Sequence, residues 1–254
     1  TLDGLIVSGG GLSITGDMAR VAVHHSTIVP GHELRQGCEP ERCSAPSLDI
    51  FGAKPCVHID HSIMGPIKIS GGANPVHIHI VESILDALGS GNSAVSSSSG
   101  SFAPAVLTIK KSTVLGSIDT HSISSAENTI FRGHVKVART QTGCMRFCFV
   151  PKRSSRTPRR YNCQPDMVIL EAPPGKEYHE ALRVRPQFKS IQYGEPNYCR
   201  LSDSCAVEIR RGSEDESEMG VFHDLYEPQR RANLESRLED YLPAGTGTSI
   251  VFVS

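Results

Sequence analysis

The chain has 254 residues, 38% of them hydrophobic, and a formal net charge of −1. This composition fits a globular protein rather than a disordered one, and the near-neutral balance excludes a general electrostatic pull toward nucleic acid or anionic lipid. No run of about 18 apolar residues occurs and no signal peptide opens the chain, so no membrane span is expected.

The chain begins at Thr1 and runs directly into "TLDGLIVSGGGLSITG". That opening reads as the middle of a structure, and a piece of a longer chain is expected. A repeat follows. "VAVHHSTIVPG" starts at Val21, "VHIDHSIMGP" at Val57, "IHIVESILDA" at Ile78 and "LTIKKSTVLG" at Leu107, with a weaker copy, "VKVARTQTG", at Val135. The shared form is apolar-x-apolar-x-x-Ser-x-apolar. Its serines are Ser26, Ser62, Ser83 and Ser112, with Thr140 closing the set. Ser62 and Ser83 lie 21 residues apart. A period near 20 residues with alternation of two predicts short stacked strands, not leucine-rich-repeat helices.

Within each copy two polar positions fall together, as at His24 and His25, and break the alternation. The chain must turn a corner there, and a small inward serine suits the bend and can bond along the stack. Further strand-like pieces begin at Leu48, Ile67, Ser117 and Thr129. Several short strands per turn predict an all-β-dominated fold, a right-handed parallel β-helix (a pectin-lyase-like solenoid), over residues 1–143. "GSGNSAVSSSSGS" at 89–101 reads as a flexible loop leaving the stack.

Val57, Ile59, Ile78 and Ile80 are expected in the core, so His58, Asp60 and His79 point outward. A solvated face is the plain reading of that column. His58 and His79, one strand apart at about 4.8 Å, are the metal candidate.

After Gly143 the repeat stops, and residues 144–254 are expected to form a mixed α/β capping region. Lys152, Arg153, Arg156, Arg159 and Arg160 crowd together among prolines and serines, which exclude a regular helix. Arginine forks in such a loop could hold an anionic ligand. The alternative is internal pairing with the acidic run Glu214, Asp215, Glu216 and Glu218. A short helix is expected from an Asp203 N-cap to Gly212. A longer one is expected from Pro228 to Leu242, ended by Pro243 and Gly245, with Leu234, Leu238 and Tyr241 on one face laid over the last coil. "SIVFV" at 249–253 reads as a closing strand.

The eight cysteines include no CxxC pair. Buried free thiols, one or two disulfides and, least, structural zinc remain open.

"GCMRFCFVPKRSSRTPRRYNCQPD", "RVRPQFKSIQYGEPNYCRLSDSCAVEIRRGSEDESEMGVFHDLYEPQR" and "SIVFV", together with "LDGLIVSGGGLSITG" and "HSTIVPG", resemble the C-terminal end of large uncharacterised bacterial β-helix repeat proteins. Some of those are associated with phage-tail-like contractile injection systems. The resemblance implies the same solenoid fold and an assembly context. It supplies no catalytic residue.

No GxSxG, P-loop, HExxH or GxGxxG stands in a usable context. The expected function is a non-catalytic structural or interaction module presenting flat faces to a protein assembly or surface glycan, with no cofactor and no nucleic acid. The alternative is a polysaccharide-acting lyase or hydrolase using strand carboxylates, with Asp49, Asp60, Asp86 and Asp119 as sources. Against it, the chain has no Trp and only 6% aromatic residues for stacking on sugars.

Overall fold

The computed structural model describes residues 1–16, 18–36, 39–41, 45–71, 74–89, 91–152 and 154–242. Cys38, Cys43, Arg153, Pro243, Gly245 and the closing strand expected at 249–253 lie outside the described residues.

The strands arrive in triplets. β1 (Leu2–Asp3), β2 (Ile6–Val7) and β3 (Leu12–Thr15) are followed by β4 (Arg20–His24), β5 (Thr27–Ile28) and β6 (Leu48–Phe51). Next come β7 (Cys56–Asp60), β8 (Ile63–Met64) and β9 (Ile67–Ser70), then β10 (Val76–Val81), β11 (Ile84–Asp86) and β12 (Ser93–Ser97). β13 (Ala103–Lys110), β14 (Thr113–Leu115), β15 (Ser117–Glu127), β16 (Ile130–Phe131), β17 (Val135–Val137), β18 (Cys144–Arg146) and β19 (Arg159–Tyr161) complete the set. The helices are α1 (Asp166–Glu171), α2 (Glu177–Arg183), α3 (Val207–Arg210) and α4 (Glu227–Tyr241).

All ladders between these strands are parallel. One sheet has 13 strands along the path β1-β4-β7-β10-β13-β15-β12-β9-β6-β3, with β17 and β18 also pairing β15 and β19 pairing β18. A second sheet of six runs β16-β14-β11-β8-β5-β2. This topology corrects the expected right-handed, pectin-lyase-like β-helix solenoid. The two arms of the larger sheet, which a solenoid keeps as separate faces, join through β15 and curl into a half-barrel of an α/β-type parallel fold.

The reason is local. Between β9 and β10 the chain carries Gly71 and Pro75, and between β12 and β13 it carries Gly100. No glycine or proline interrupts "SIDTHSISSAE", so β15 runs unbroken for 11 residues. Its start pairs β12 and the remainder pairs β13, with two register shifts that let it bend.

The period-two pattern places the core. β13 alternates buried and half-buried along its length. Val57, Ile59, Ile78 and Ile80 are buried as expected, in one cluster with Val23, Ile28, Leu48, Met64, Leu85, Leu107 and Phe131. Three expectations fail. The predicted loop at 89–101 contains β12, because Ala94 and Val95 are buried in that core. The weak copy ending in Thr140 is not the fifth turn; Glu127, Asn128 and Thr129 occupy it. Parallel pairing also continues past Gly143 through β18 and β19.

The C-terminal segment does not lay the long helix over the last strands. It lies along the outside of the six-stranded sheet. Ile63, Ile84 and Leu115 pack with Phe188, Tyr198, Cys199, Val221 and Phe222. Ile130 and Phe149 pack with Val168, Val184, Cys205, Ile209 and Met219. Three backbone donors pin it: Glu214 N–H to Asn128 Oδ1 at 3.2 Å, Gly220 N–H to Asn128 O at 2.9 Å and Val221 N–H to Thr113 Oγ1 at 3.1 Å. α4 keeps its apolar residues largely outside, Leu234 at 45% and Tyr241 at 88% exposure. α3 begins later than expected and has no side-chain cap. Asp203 instead pairs with Arg231 at 3.0 Å and Arg210 at 3.9 Å.

Candidate functional site on the outer strand rows

Parallel register turns the outward residues of β4, β7, β10 and β13 into rows across the sheet. Arg20, Cys56, His77 and Val106 form one row. Ala22, His58, His79 and Thr108 form the next. His24, Asp60, Val81 and Lys110 form the third. The corner residues His25, His61, Glu82 and Lys111 follow it in chain order.

The structure brings His58 and His79 together. Their rings stack with centroids 4.7 Å apart and 10° between planes, close to the strand spacing itself. Cys56 joins them, its Sγ 3.3 Å from His58 Nε2. The candidate ligand atoms of Cys56, His58 and His79 all lie within 4.8 Å of one another. Burial lowers the pKa of both histidines. Neighbouring cations lower His58 further, His79 first and then Arg20 and His24, while His77 does so for His79. Both imidazoles are therefore held toward the neutral form.

A second group stands at the corner. His61 Nε2 meets Glu82 Oε2 at 2.6 Å, and its Nδ1 meets Asp60 at 3.2 Å. His24 approaches the same Asp60 at 3.6 Å, and the His25 and His61 rings lie 4.9 Å apart. Lys111 Nζ donates to both oxygens of Asp224, at 2.7 and 2.9 Å. Burial, then a hydrogen bond with Asp224, raises the Glu82 pKa. Burial pushes Asp224 up too, but hydrogen bonds from Lys111 and Glu82 outweigh it and leave that carboxyl below its usual range. Of these groups His61, Glu82 and Asp224 line a cleft of about 590 Å³ between the six-stranded sheet and the C-terminal segment, walled by Ile63, Ile84, Tyr198 and Phe222.

The described basic residues are dispersed over separate contacts. Arg156 lies along β17, donating its N–H to Val135 O and accepting from Val137 N–H, each at 2.8 Å. Arg159 and Arg160 lie in β19. Arg160 pairs with Asp166 at 3.0 Å. Lys152, Arg156 and Arg159 are exposed. The acidic run turns elsewhere: Asp215 approaches His223 at 3.4 Å, and the buried Glu218 feels Arg200 and Arg210.

The four sequence-derived carboxylates are spread over separate partners. Asp49 stands in register with Lys68, Asp60 serves His24 and His61, and Asp119 faces His134 at 3.6 Å. Asp86 is buried. It accepts from Tyr198 Oη at 2.6 Å and Leu88 N–H at 2.8 Å, and burial raises its pKa. The six described cysteines, Cys56, Cys144, Cys148, Cys163, Cys199 and Cys205, are free thiols.

Sequence reasoning missed Cys56, Glu82 and Asp224. Cys56 carried a signal: Cys-x-His on one copy aligns with His77-x-His79 on the next. Asp224 carried none, because it reaches Lys111 from 113 residues away.

No helix among the described residues is long and apolar enough to cross a membrane. No family model, curated protein or solved structure matches the chain.

Proposed function

We propose that this chain is a non-catalytic structural or interaction module, a rigid parallel-sheet scaffold that offers in-register outer rows to a partner protein or surface glycan. The observation that carries this reading is the in-register outer face of β4, β7, β10 and β13. Each strand there is hydrogen-bonded on both sides, so its side chains form a fixed two-dimensional array. The dispersal of Asp49, Asp60, Asp86 and Asp119 over separate partners also favours it, since glycoside chemistry needs two carboxyls flanking one bond.

A second reading rests on one observation. Glu82 and Asp224 both line the corner cleft, where burial raises the Glu82 carboxyl while Lys111, donating to both Asp224 oxygens, holds that carboxyl below its usual range. That is the division of roles a carboxyl pair needs for acid–base work on a polysaccharide. A screen over uronate-containing and neutral polysaccharides, following unsaturated product and new reducing ends with and without calcium, separates the two. The module reading expects no turnover by folded protein. Turnover abolished by Glu82→Gln or Asp224→Asn would establish the enzyme.

A further inference from the structure

We infer that Cys56, His58 and His79 form a binding site for a zinc-class transition-metal ion on the outer face of the large sheet. β7 presents Cys56 and His58 two residues apart, hence on one face, and β10 presents His77 and His79 in the same way. The parallel register sets Cys56 beside His77 and His58 beside His79. Four soft or borderline donors thus occupy the corners of a rectangle one strand spacing wide.

Zinc binds thiolate at about 2.3 Å and imidazole nitrogen at about 2.0–2.1 Å, which puts tetrahedral ligand atoms roughly 3.2–3.6 Å apart. Cys56 Sγ and His58 Nε2 already lie 3.3 Å apart. The third ligand atom lies within 4.8 Å of both, so side-chain rotation closes the set without backbone movement. The donor chemistry selects the ion. A thiolate with two imidazoles favours zinc, cobalt or copper over calcium or magnesium, which take oxygen ligands.

Other charges face the site. Arg20 lies in register beside Cys56 and its charge opposes a bound cation. His24 adds a second nearby base. The corner group of Asp60, His61 and Glu82 is a nearby cluster of other possible donors, so the test must separate the two. The site is independent of whether the sheet face meets a partner.

The test is titration of the full chain with Zn²⁺ and with Co²⁺, whose absorption reports a thiolate ligand. We expect a thiolate-to-cobalt charge-transfer band that Cys56→Ser abolishes. Zinc affinity should fall by about 100-fold in both Cys56→Ser and His79→Ala, at or above the upper end of what outer-shell changes cost. His61→Ala should leave it unchanged. Circular dichroism melts confirm that each variant is folded. As an independent readout, Zn²⁺ should shield Cys56 from N-ethylmaleimide in peptide mass mapping. Undiminished zinc binding in Cys56→Ser and His79→Ala would overturn the assignment. So would loss on His61→Ala alone, no binding at millimolar Zn²⁺, or alkylation of Cys56 that zinc does not slow.

Discussion

At the scale of single residues, the recurring unit is the corner. His25, His61 and Glu82 each have φ 45°, Lys111 46° and Asn128 50°. Left-handed backbone at a residue with a side chain costs about 1–3 kcal/mol and persists only when its surroundings enforce it. The next residue enforces it here. Ser62 Oγ donates to Asp60 O at 2.7 Å and accepts from Ser26 N–H at 3.1 Å, while Ser62 N–H donates to Ser83 Oγ at 3.0 Å. Ser83 repeats this with Ser112 at 3.2 Å. Thr129 keeps the inward bond, and Cys148 and Cys163 replace it with weaker thiol contacts. Ser62→Ala leaves the buried Ser26 N–H without its acceptor and should cost about 1–3 kcal/mol in denaturant unfolding, with Ser62→Thr recovering most of it. A loss below about 0.5 kcal/mol would mean the ladder is incidental.

Glu218 gives a second test at this scale. Burial, and then the charge of Glu227, push its carboxyl from 4.5 up to about 7. The folded state therefore holds a proton that the unfolded chain releases near 4.5. Stability from this group is fully present below pH 4.5 and is lost as pH rises to 7, by something on the order of 3 kcal/mol. Glu218→Gln fixes the neutral form. Its urea midpoint should exceed that of the parent at pH 8 by more than at pH 5; the same difference at both would refute the shift.

At the scale of elements, period-two alternation made the large-sheet strands legible. Val57, Ile59, Ile78 and Ile80 could be assigned to the core, and His58 and His79 to one outer row, from the 21-residue spacing alone. Ile59→Asp, which buries a charge at a site 2% exposed, should abolish soluble cooperative folding. A soluble variant with a normal melt would contradict the register. Other elements were hidden for physical reasons. β12 is spelled with serines, so composition reads as linker while Ala94 and Val95 fill the core. α4 follows its helical signals closely, at Glu227–Tyr241 against an expected 228–242. Its apolar spacing did not say what it packs on, and the answer is that Leu234 and Tyr241 stay mostly outside.

At the scale of the molecule, the repeat predicted parallel neighbours but not how the arms of the sheet close. That depended on β15 crossing the bend without a breaker. Nor could the repeat show that the C-terminal segment lies along the six-stranded sheet, because contacts such as Val221 to Thr113 span 108 residues. The same long-range packing makes the Glu82–Asp224 cleft, so only the outer imidazole row was readable beforehand.

The proposed module requires this outer face to be a rigid, preformed array. Amide hydrogen exchange resolved along β4, β7, β10 and β13 tests it most directly. Backbone N–H groups from Cys56 to Asp60 and from Val76 to Val81 should exchange only through global unfolding, with free energies equal to the unfolding value within about 1 kcal/mol. Fast exchange in those segments under conditions where the inner strands stay protected would contradict it.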